Sequence, residues 1–298
     1  MQQPLNTDDF AFLIGFPPLT EYLSFMQVEA IDGAAVDRRN LVDQWRAANL
    51  IVAGLAPLER GDHSQPLPEE LAQLREELTA DPIYQHNLFV PADLVMLDLN
   101  RVVVLQKRVN LRYSRELQGL LPAAPTSEQV FRFSLMDRDQ PPITAARSSQ
   151  NEFTFTSPSN DFRLLDARLL SNQDRIADFY LGQLTGGVCL AVGYGSNFLS
   201  AIAINDLMLL QNGTHRAHAL RARGFETAPF LVHRVSSADE LALFYPQNTQ
   251  QVIQTTQIPR PPTLSDFFTD ALHIEARVPR RRREVRISFG ANQVDLPI

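Results

Sequence analysis

The residues of this sequence best suited to chemistry are the four consecutive positions Gly213, Thr214, His215 and Arg216. The apolar run Leu207 to Leu210 predicts a strand before them, and a helix is predicted to begin at about Thr214. The first N–H groups of a helix have no partner within it, and the helix dipole makes that end attractive to anions. Gly213 permits close approach, while His215 and Arg216 add donors. The pattern predicts a phosphate site.

Two polar turns are candidates to line the same cleft. One includes Asn197 and joins two predicted strands, and the other contains Asn160 and Asp161. In the functional interpretation one of these three side chains contacts the ligand, and Asp161 is the leading candidate for a catalytic base or a metal–phosphate ligand. In the alternative interpretation both segments are ordinary turns.

The segment from Ala191 to Val232 resembles the ParB/sulfiredoxin superfamily. Its signature is a strand, G-x-[HR]-R-x-x-A at a helix start, a glycine, and a proline-containing strand. The positions that match it are Gly213, His215, Arg216, Ala219, Gly224, Pro229 and Val232. The resemblance implies an α+β fold with a small mixed β-sheet, in which Leu97 to Leu105 is an earlier strand. It also adds Lys107, which follows that strand, to the nucleotide-binding candidates.

Members of this superfamily bind nucleotides through this turn and differ in their chemistry. ParB proteins hydrolyse CTP, sulfiredoxin uses ATP to repair a sulfinic acid, and other members phosphorylate free serine or are described as nucleases. Thr214 stands where sulfiredoxin has its cysteine, and no helix-turn-helix pattern follows Val235 as in ParB. The resemblance therefore implies ATP or another nucleotide, with Mg²⁺, but neither sulfinic acid repair nor the partition-complex function of ParB.

A metal site is the alternative use of the histidines. His215 and His218 lie three residues apart on the predicted helix and can share a metal, with His233 as a third ligand. No carboxylate is spaced to complete the set, so we assign no metal ligands and favour one histidine facing the phosphate.

Composition limits the class of protein. The 298 residues are 44% hydrophobic and 20% charged, which is typical of a folded soluble chain. A single cysteine, no signal-peptide pattern and no long apolar run predict a cytoplasmic protein without a membrane span. The net charge of −7 argues against a general nucleic-acid binder. The basic run Arg280 to Arg283 is interpreted as a solvated strand, or alternatively as a second phosphate-facing patch.

The pattern of elements predicts three parts. Residues 1–93 form an N-terminal helical region, 94–235 the ParB/sulfiredoxin-like domain with a long insertion at about 115–185, and 236–298 a helix and strand extension packed on it. Residues 10–80 are predicted to be mostly helical, and Arg163 to Arg175 a helix or an irregular excursion.

Local signals in the proposed domain are stronger. Residues 198–210 predict a hairpin, Gly224 a helix end, and Thr227 to Val235 a strand beside Leu207 to Leu210. Pro229 predicts that this last strand lies at a sheet edge or begins after the proline. Cys189, in an apolar strand, is expected to be buried and unreactive.

The leading functional hypothesis is a nucleotide- or phosphate-binding protein, with a phosphotransferase or nucleotide hydrolase as its catalytic form. Its partner is then a nucleotide or a phosphorylated small molecule. The alternatives are a non-catalytic protein-interaction module that kept the fold, and a nucleic-acid-binding or nuclease-like protein.

Overall fold

The structure, a computed structural model, describes residues 6–31, 33–136, 140–159, 161–170 and 186–295. Contacts between residues divide the chain into two units. The larger unit comprises Met1–Asp137 and Asn197–Arg280, and the smaller unit comprises Arg138–Ser196 and Arg281–Ile298. Helices and strands are both abundant, which confirms the predicted α+β class.

The larger unit contains two sheets and most of the helices. Its strands are β1 (Thr7–Leu13), β2 (Gln65–Pro66), β3 (Ala92–Asp98), β4 (Val103–Val104), β5 (Arg108–Asn110), β10 (Ser200–Ile204), β11 (Leu207–Asn212), β12 (Thr227–Arg234) and β13 (His273–Pro279). Its α-helices are α1 (Leu19–Ser24), α2 (Arg38–Gly54), α3 (Ala72–Thr79), α4 (Pro82–His86), α5 (Leu111–Gly119), α6 (Ser127–Leu135), α7 (Thr214–Ala222), α8 (Ala238–Phe244) and α9 (Thr249–Gln257). Shorter turns of helix are Phe25–Glu29, which is a π-helix, and the 3-10 segments Gly33–Ala35, Glu69–Leu71 and Leu264–Phe268.

The predicted strand–turn–helix–strand around Gly213 is confirmed. β10 and β11 form an antiparallel hairpin, in which Asn205 and Asp206 both have positive φ, as the two-residue turn requires. α7 then begins at Thr214 and ends before Gly224, whose φ is +86°. The amide of Phe225 donates to the carbonyl of Leu220, which closes the helix end.

The position of β12 corrects the sequence prediction. In the six-stranded order β2-β3-β12-β10-β11-β4, β12 is an inner strand and lies beside β10, not beside β11. Pro229 is accommodated because the pairing of β12 with β10 begins only at Leu231, whose amide donates to the carbonyl of Leu199. The nitrogen of Pro229, two residues earlier, points to the same side but beyond the end of β10, so no hydrogen bond of that pairing is lost.

The N-terminal part is less helical than predicted. β1 is the central strand of the sheet β13-β1-β5, and its residues from Ala11 to Leu13 are buried. The alternation within Thr7–Leu13 is weak, which is why the helical pattern that follows dominated the prediction. The predicted strand Leu97 to Leu105 is also two pieces, because β3 ends at Asp98 and only Val103–Val104 forms β4.

α7 lies at the centre of the main apolar core. Its residues Ala217, Ala219 and Leu220 are fully buried and belong to a cluster that includes residues of both sheets, α5 and α6. The small alanines allow the helix to approach the strands closely. The site residues are therefore held by a rigid element.

The predicted insertion is divided between the two units. α5 and α6 fall largely within the predicted range 115–185, yet both belong to the larger unit, where Val130 and Phe133 of α6 are part of the main core. The divisions predicted at 93/94 and 235/236 do not coincide with the division by contacts.

The smaller unit contains β6 (Thr144–Ser149), β7 (Glu152–Ser157), β8 (Arg163–Leu170), β9 (Gly187–Gly193) and β14 (Arg283–Ser288). They form the antiparallel sheet β14-β7-β6 and the pair β8-β9. The expectation of a helix or an irregular segment at Arg163 to Arg175 is thus wrong for its first eight residues, and 171–175 lie outside the described residues. None of the helices in the described ranges combines the length and apolar composition of a membrane span.

The expectation that Cys189 is buried is also wrong. The residue is half-buried on β9, and its neighbours Val188 and Leu190 are exposed, because β9 pairs only with β8 among the described strands. An apolar strand need not be a core strand when its sheet has two members.

We expect Cys189 to react with a thiol reagent in the native protein, because part of the side chain is accessible to solvent. Since it is the only cysteine, the count should approach one label per chain before any denaturant is added. Cys189→Ser, which lacks the thiol, is the negative control. Labelling that appears only on unfolding would contradict the half-buried position.

Candidate functional site

The N-terminus of α7 has an open arrangement of backbone donors. Gly213, the N-cap residue, has φ +88° and ψ +25°, and no side chain of the described residues caps the nine-residue helix. In the described parts of the chain, the amides of Thr214 and His215 have no hydrogen-bond acceptor. A Cβ on Gly213 would lie 2.8 Å from Cδ1 of Leu199, so glycine is required by space as well as by φ. Open amides and the positive end of the helix dipole are the groups by which helix N-termini attract anions.

His215 is oriented by the backbone of β5. Its Nε2 accepts a hydrogen bond from the amide of Asn110 at 3.0 Å, and its ring packs edge-on against Tyr113. The imidazole is half-buried, and burial lowers its pKa from 6.5 to about 4. His215 is therefore neutral at pH 7 with its proton on Nδ1, so the ring offers an N–H donor and no positive charge.

Asn110 is itself held by a buried carboxylate. Oδ2 of Asp8 accepts from the side chain of Asn110 at 2.9 Å, and Oδ1 accepts from Nε of Arg112 at 2.6 Å and from Nε of Arg280 at 3.0 Å. Burial alone would raise the pKa of Asp8, but these hydrogen bonds hold it below its usual value. We call these four residues the Asp8 cluster. It positions His215 indirectly, through Asn110.

Arg216 faces the protein interior. Only 7% of the residue is exposed, and Nη1 donates to the carbonyls of Ser134 at 3.0 Å and of Asn197 at 2.6 Å. The guanidinium also lies over the ring of Phe133, with Cζ 5.6 Å from its centre. Arg216 thus joins α6, the residues before β10 and α7, a structural role that the sequence did not indicate.

Of the other predicted residues, Asn197 lies beside the N-terminus of α7, whereas Lys107 lies just before β5. Asn197 has φ +58° and presents its carbonyl to Arg216. Burial lowers the pKa of Lys107 to about 8, with a smaller opposing effect from Glu21. In the described ranges, no hydrogen bond joins Lys107 to α7.

Asp161 belongs to the smaller unit. Its Oδ2 accepts from the amide of Gly195 at 3.0 Å, and Oδ1 lies 3.9 Å from Nη1 of Arg163. The carboxylate thus stabilises a turn in that unit. Asn160 lies outside the described residues.

The histidines considered as metal ligands have separate partners. Nδ1 of His218 lies 2.8 Å from Oγ of Ser114 on α5, and the ring stacks on Phe268. His233 packs against the rings of Phe89 and Phe244, which also contact each other. Burial lowers the pKa of both imidazoles to about 4. In the described part of the chain, no three His, Cys, Asp or Glu side chains are grouped as metal ligands.

Sequence analysis missed Asp8, Asn110 and Ser114. Asn110 carried a local signal, because it precedes a helix and its Oδ1 accepts from the amide of Tyr113, as an N-cap does. Asp8 carried no local signal, since its partners lie about a hundred or more residues away in the chain.

Comparison with protein-family models, curated proteins and solved structures finds no match to this chain. The resemblance to the ParB/sulfiredoxin superfamily therefore stays a prediction.

Arg216→Met should lower the free energy of unfolding by about 2–5 kcal/mol, because two buried carbonyls lose a charge-assisted hydrogen bond. Urea unfolding measures this change. Arg75→Met, on the exposed face of α3, is the matched control and should change stability little. Equal effects of the two substitutions would contradict the structural role of Arg216.

The free energy of unfolding should decrease as the pH falls from 6.5 to about 4. His215, His218 and His233 have folded-state pKa values near 4 against 6.5 unfolded, so the unfolded chain binds more protons in this window. Each contributes a slope of at most about 1.4 kcal/mol per pH unit. Their contribution is fully present above pH 6.5 and is lost as the pH falls.

His233→Phe tests this assignment, because a phenyl ring can join the cluster of Phe89 and Phe244 and, among the described residues, Nδ1 of His233 has no hydrogen-bond partner to lose. Urea unfolding at several pH values should show a shallower slope in this variant. An unchanged slope would exclude His233 as a contributor.

Proposed function

We propose that the chain is a phosphate- or nucleotide-binding protein whose anion site is the N-terminus of α7. The observation that carries the proposal is the pair of open amides at Thr214 and His215, exposed by a glycine with φ +88° in place of a capping side chain. A phosphate oxygen is the ligand that such an arrangement accepts.

The site would recognise its anion mainly with dipoles. The donors available to it are the two amides, the helix dipole and the Nδ1–H of His215, none of which carries a full charge, whereas Nη1 of Arg216 bonds to the carbonyls of Ser134 and Asn197. Neutral donors favour a phosphate without holding it by a full ion pair. The affinity for inorganic phosphate should therefore be modest, and a nucleotide would add contacts through its base and ribose.

The proposed class is a ParB/sulfiredoxin-like fold. Its support is the order of the hairpin β10–β11, the Gly213 turn, α7, the Gly224 helix end and β12 parallel to β10. Under this proposal the ligand is ATP or another nucleotide with Mg²⁺. A phosphotransferase or hydrolase would additionally need a base, and Asp8 does not serve, because three donors occupy its carboxylate.

Calorimetry with inorganic phosphate, ATP, CTP, GTP and ADP, each with and without Mg²⁺, tests the proposal. We expect at least one nucleotide to bind at or below millimolar concentration and to raise the melting temperature by mass action. His215→Phe keeps a ring beside Tyr113 but removes the Nδ1–H donor, together with the Nε2 acceptor of the Asn110 amide, and should weaken binding by roughly 3- to 12-fold.

Gly213→Val should abolish binding, since a β-branched residue resists a φ of +88° and its Cβ would lie 2.8 Å from Cδ1 of the buried Leu199, which would displace the start of α7. Gly54→Val, at the C-terminal end of α2, is the control, because a Cβ there would meet no described atom within 4 Å. If wild type binds none of these compounds at millimolar concentration, the non-catalytic interaction module becomes the better interpretation.

A further inference from the structure

The sheet β14-β7-β6 has two chemically different faces. Because alternate residues of a strand point to opposite faces, the register assigns each side chain to one of them. One face, which we call the Phe153 face, carries Ala145, Arg147, Phe153, Phe155, Ser157, Arg283, Val285 and Ile287. The opposite face carries Thr144, Ala146, Glu152, Thr154, Thr156, Glu284, Arg286 and Ser288.

Accessible rings form a row on the Phe153 face. The rings of Phe153 and Phe289 are nearly parallel, with an interplanar angle of 14° and centres 6.2 Å apart. They are 36% and 49% exposed. The amide of Phe289 donates to the carbonyl of Asn151, which continues the pairing beyond β14. The two rings are adjacent, and contiguous exposed apolar groups are more typical of interaction sites than scattered ones.

A guanidinium extends the same row. Cζ of Arg147 lies 5.7 Å from the centre of the Phe153 ring. Nε and Nη2 donate to the carbonyls of Ser149 and Gln150 in the β6–β7 turn, which fixes the group in place. The guanidinium of Arg147 therefore lies over the ring of Phe153, which in turn stacks with the ring of Phe289.

The charges separate between the faces. The acidic residues of the three strands, Glu152 and Glu284, are both on the opposite face, where Arg286 lies near each of them. The Phe153 face carries Arg147 and Arg283 and no acid. Arg281 and Arg282, just before β14, are also exposed, and among the described residues neither they nor Arg283 form an ion pair. The face is locally basic although the chain is acidic.

We propose that the Phe153 face binds single-stranded nucleic acid. Bases would stack on Phe153 and Phe289, and phosphates further along the bound strand would contact Arg283, which pairs with Ser157 four residues along β7 from Phe153, and the preceding arginines. Stacking on aromatic side chains beside basic residues is the usual chemistry of single-strand binding, and it tolerates different sequences because every base has a π-face. A duplex keeps its bases inside the stack and an acidic peptide lacks them, so neither matches the rings.

The test is fluorescence anisotropy of a labelled oligothymidylate of about 15 nucleotides, added to the full chain at low salt. We expect saturable binding that weakens as salt increases. The same length of duplex DNA and a polyglutamate peptide should bind much more weakly. If either bound as tightly as the single strand, the surface would be a general polyanion contact and the proposal would be wrong.

Ring substitutions test the stacking. Phe153→Leu and Phe289→Leu retain apolar volume and remove the aromatic face, and each should weaken binding by roughly 5- to 150-fold. Phe153→Trp should bind at least as tightly as wild type, which distinguishes loss of a ring from loss of folding. Wild-type affinity in both leucine variants would overturn the proposal.

Charge substitutions test the face. Arg283→Gln should weaken binding and make the slope of log affinity against log salt shallower by about 0.7. Arg286→Gln is the matched control, because it removes the same charge from the same strand on the opposite face. Equal effects of the two substitutions would show that only net charge matters, and would contradict the assignment to the Phe153 face.

Discussion

The buried carboxylate of Asp8 is the interaction on which the architecture of the larger unit depends. It lies on β1 and accepts hydrogen bonds from Asn110 and Arg112, at the start of α5, and from Arg280, just after β13. An unpaired carboxylate at 6% exposure would cost several kcal/mol, so all three donors must be in place together. One charge thereby fixes three segments that are distant in sequence.

For the candidate site, the consequence is that the orientation of His215 is determined by its hydrogen-bonded neighbours. The amide of Asn110 holds Nε2 of His215, and Asn110 is held by Asp8. Burial keeps the imidazole neutral, and Arg216 directs Nη1 to interior carbonyls. The sequence motif contains a histidine and an arginine, but in the folded protein the candidate site offers backbone amides and a neutral imidazole.

The sequence predicted the local features of the α7 region because each has a short-range cause. Gly213 and Gly224 are needed for positive φ, and Asn205 with Asp206 makes the hairpin turn. It did not predict the place of β12 or the strand β1, because strand order and the Asp8 cluster depend on contacts across much of the chain. The inward orientation of Arg216 was missed for the same reason, since its acceptors at Ser134 and Asn197 lie on other elements.

The pairing of β1 has a consequence for the order of folding during synthesis. Thr7 pairs with Pro279, and at roughly 5–20 residues per second the ribosome needs on the order of 15–50 s to make the chain between them. β5 emerges much earlier and pairs with Phe10 to Phe12, so one edge of β1 can be covered long before the other. Asp8 would then first meet Asn110 and Arg112 and acquire Arg280 last. The nascent chain thus carries an open strand edge for most of its synthesis, which makes it a natural substrate for chaperones.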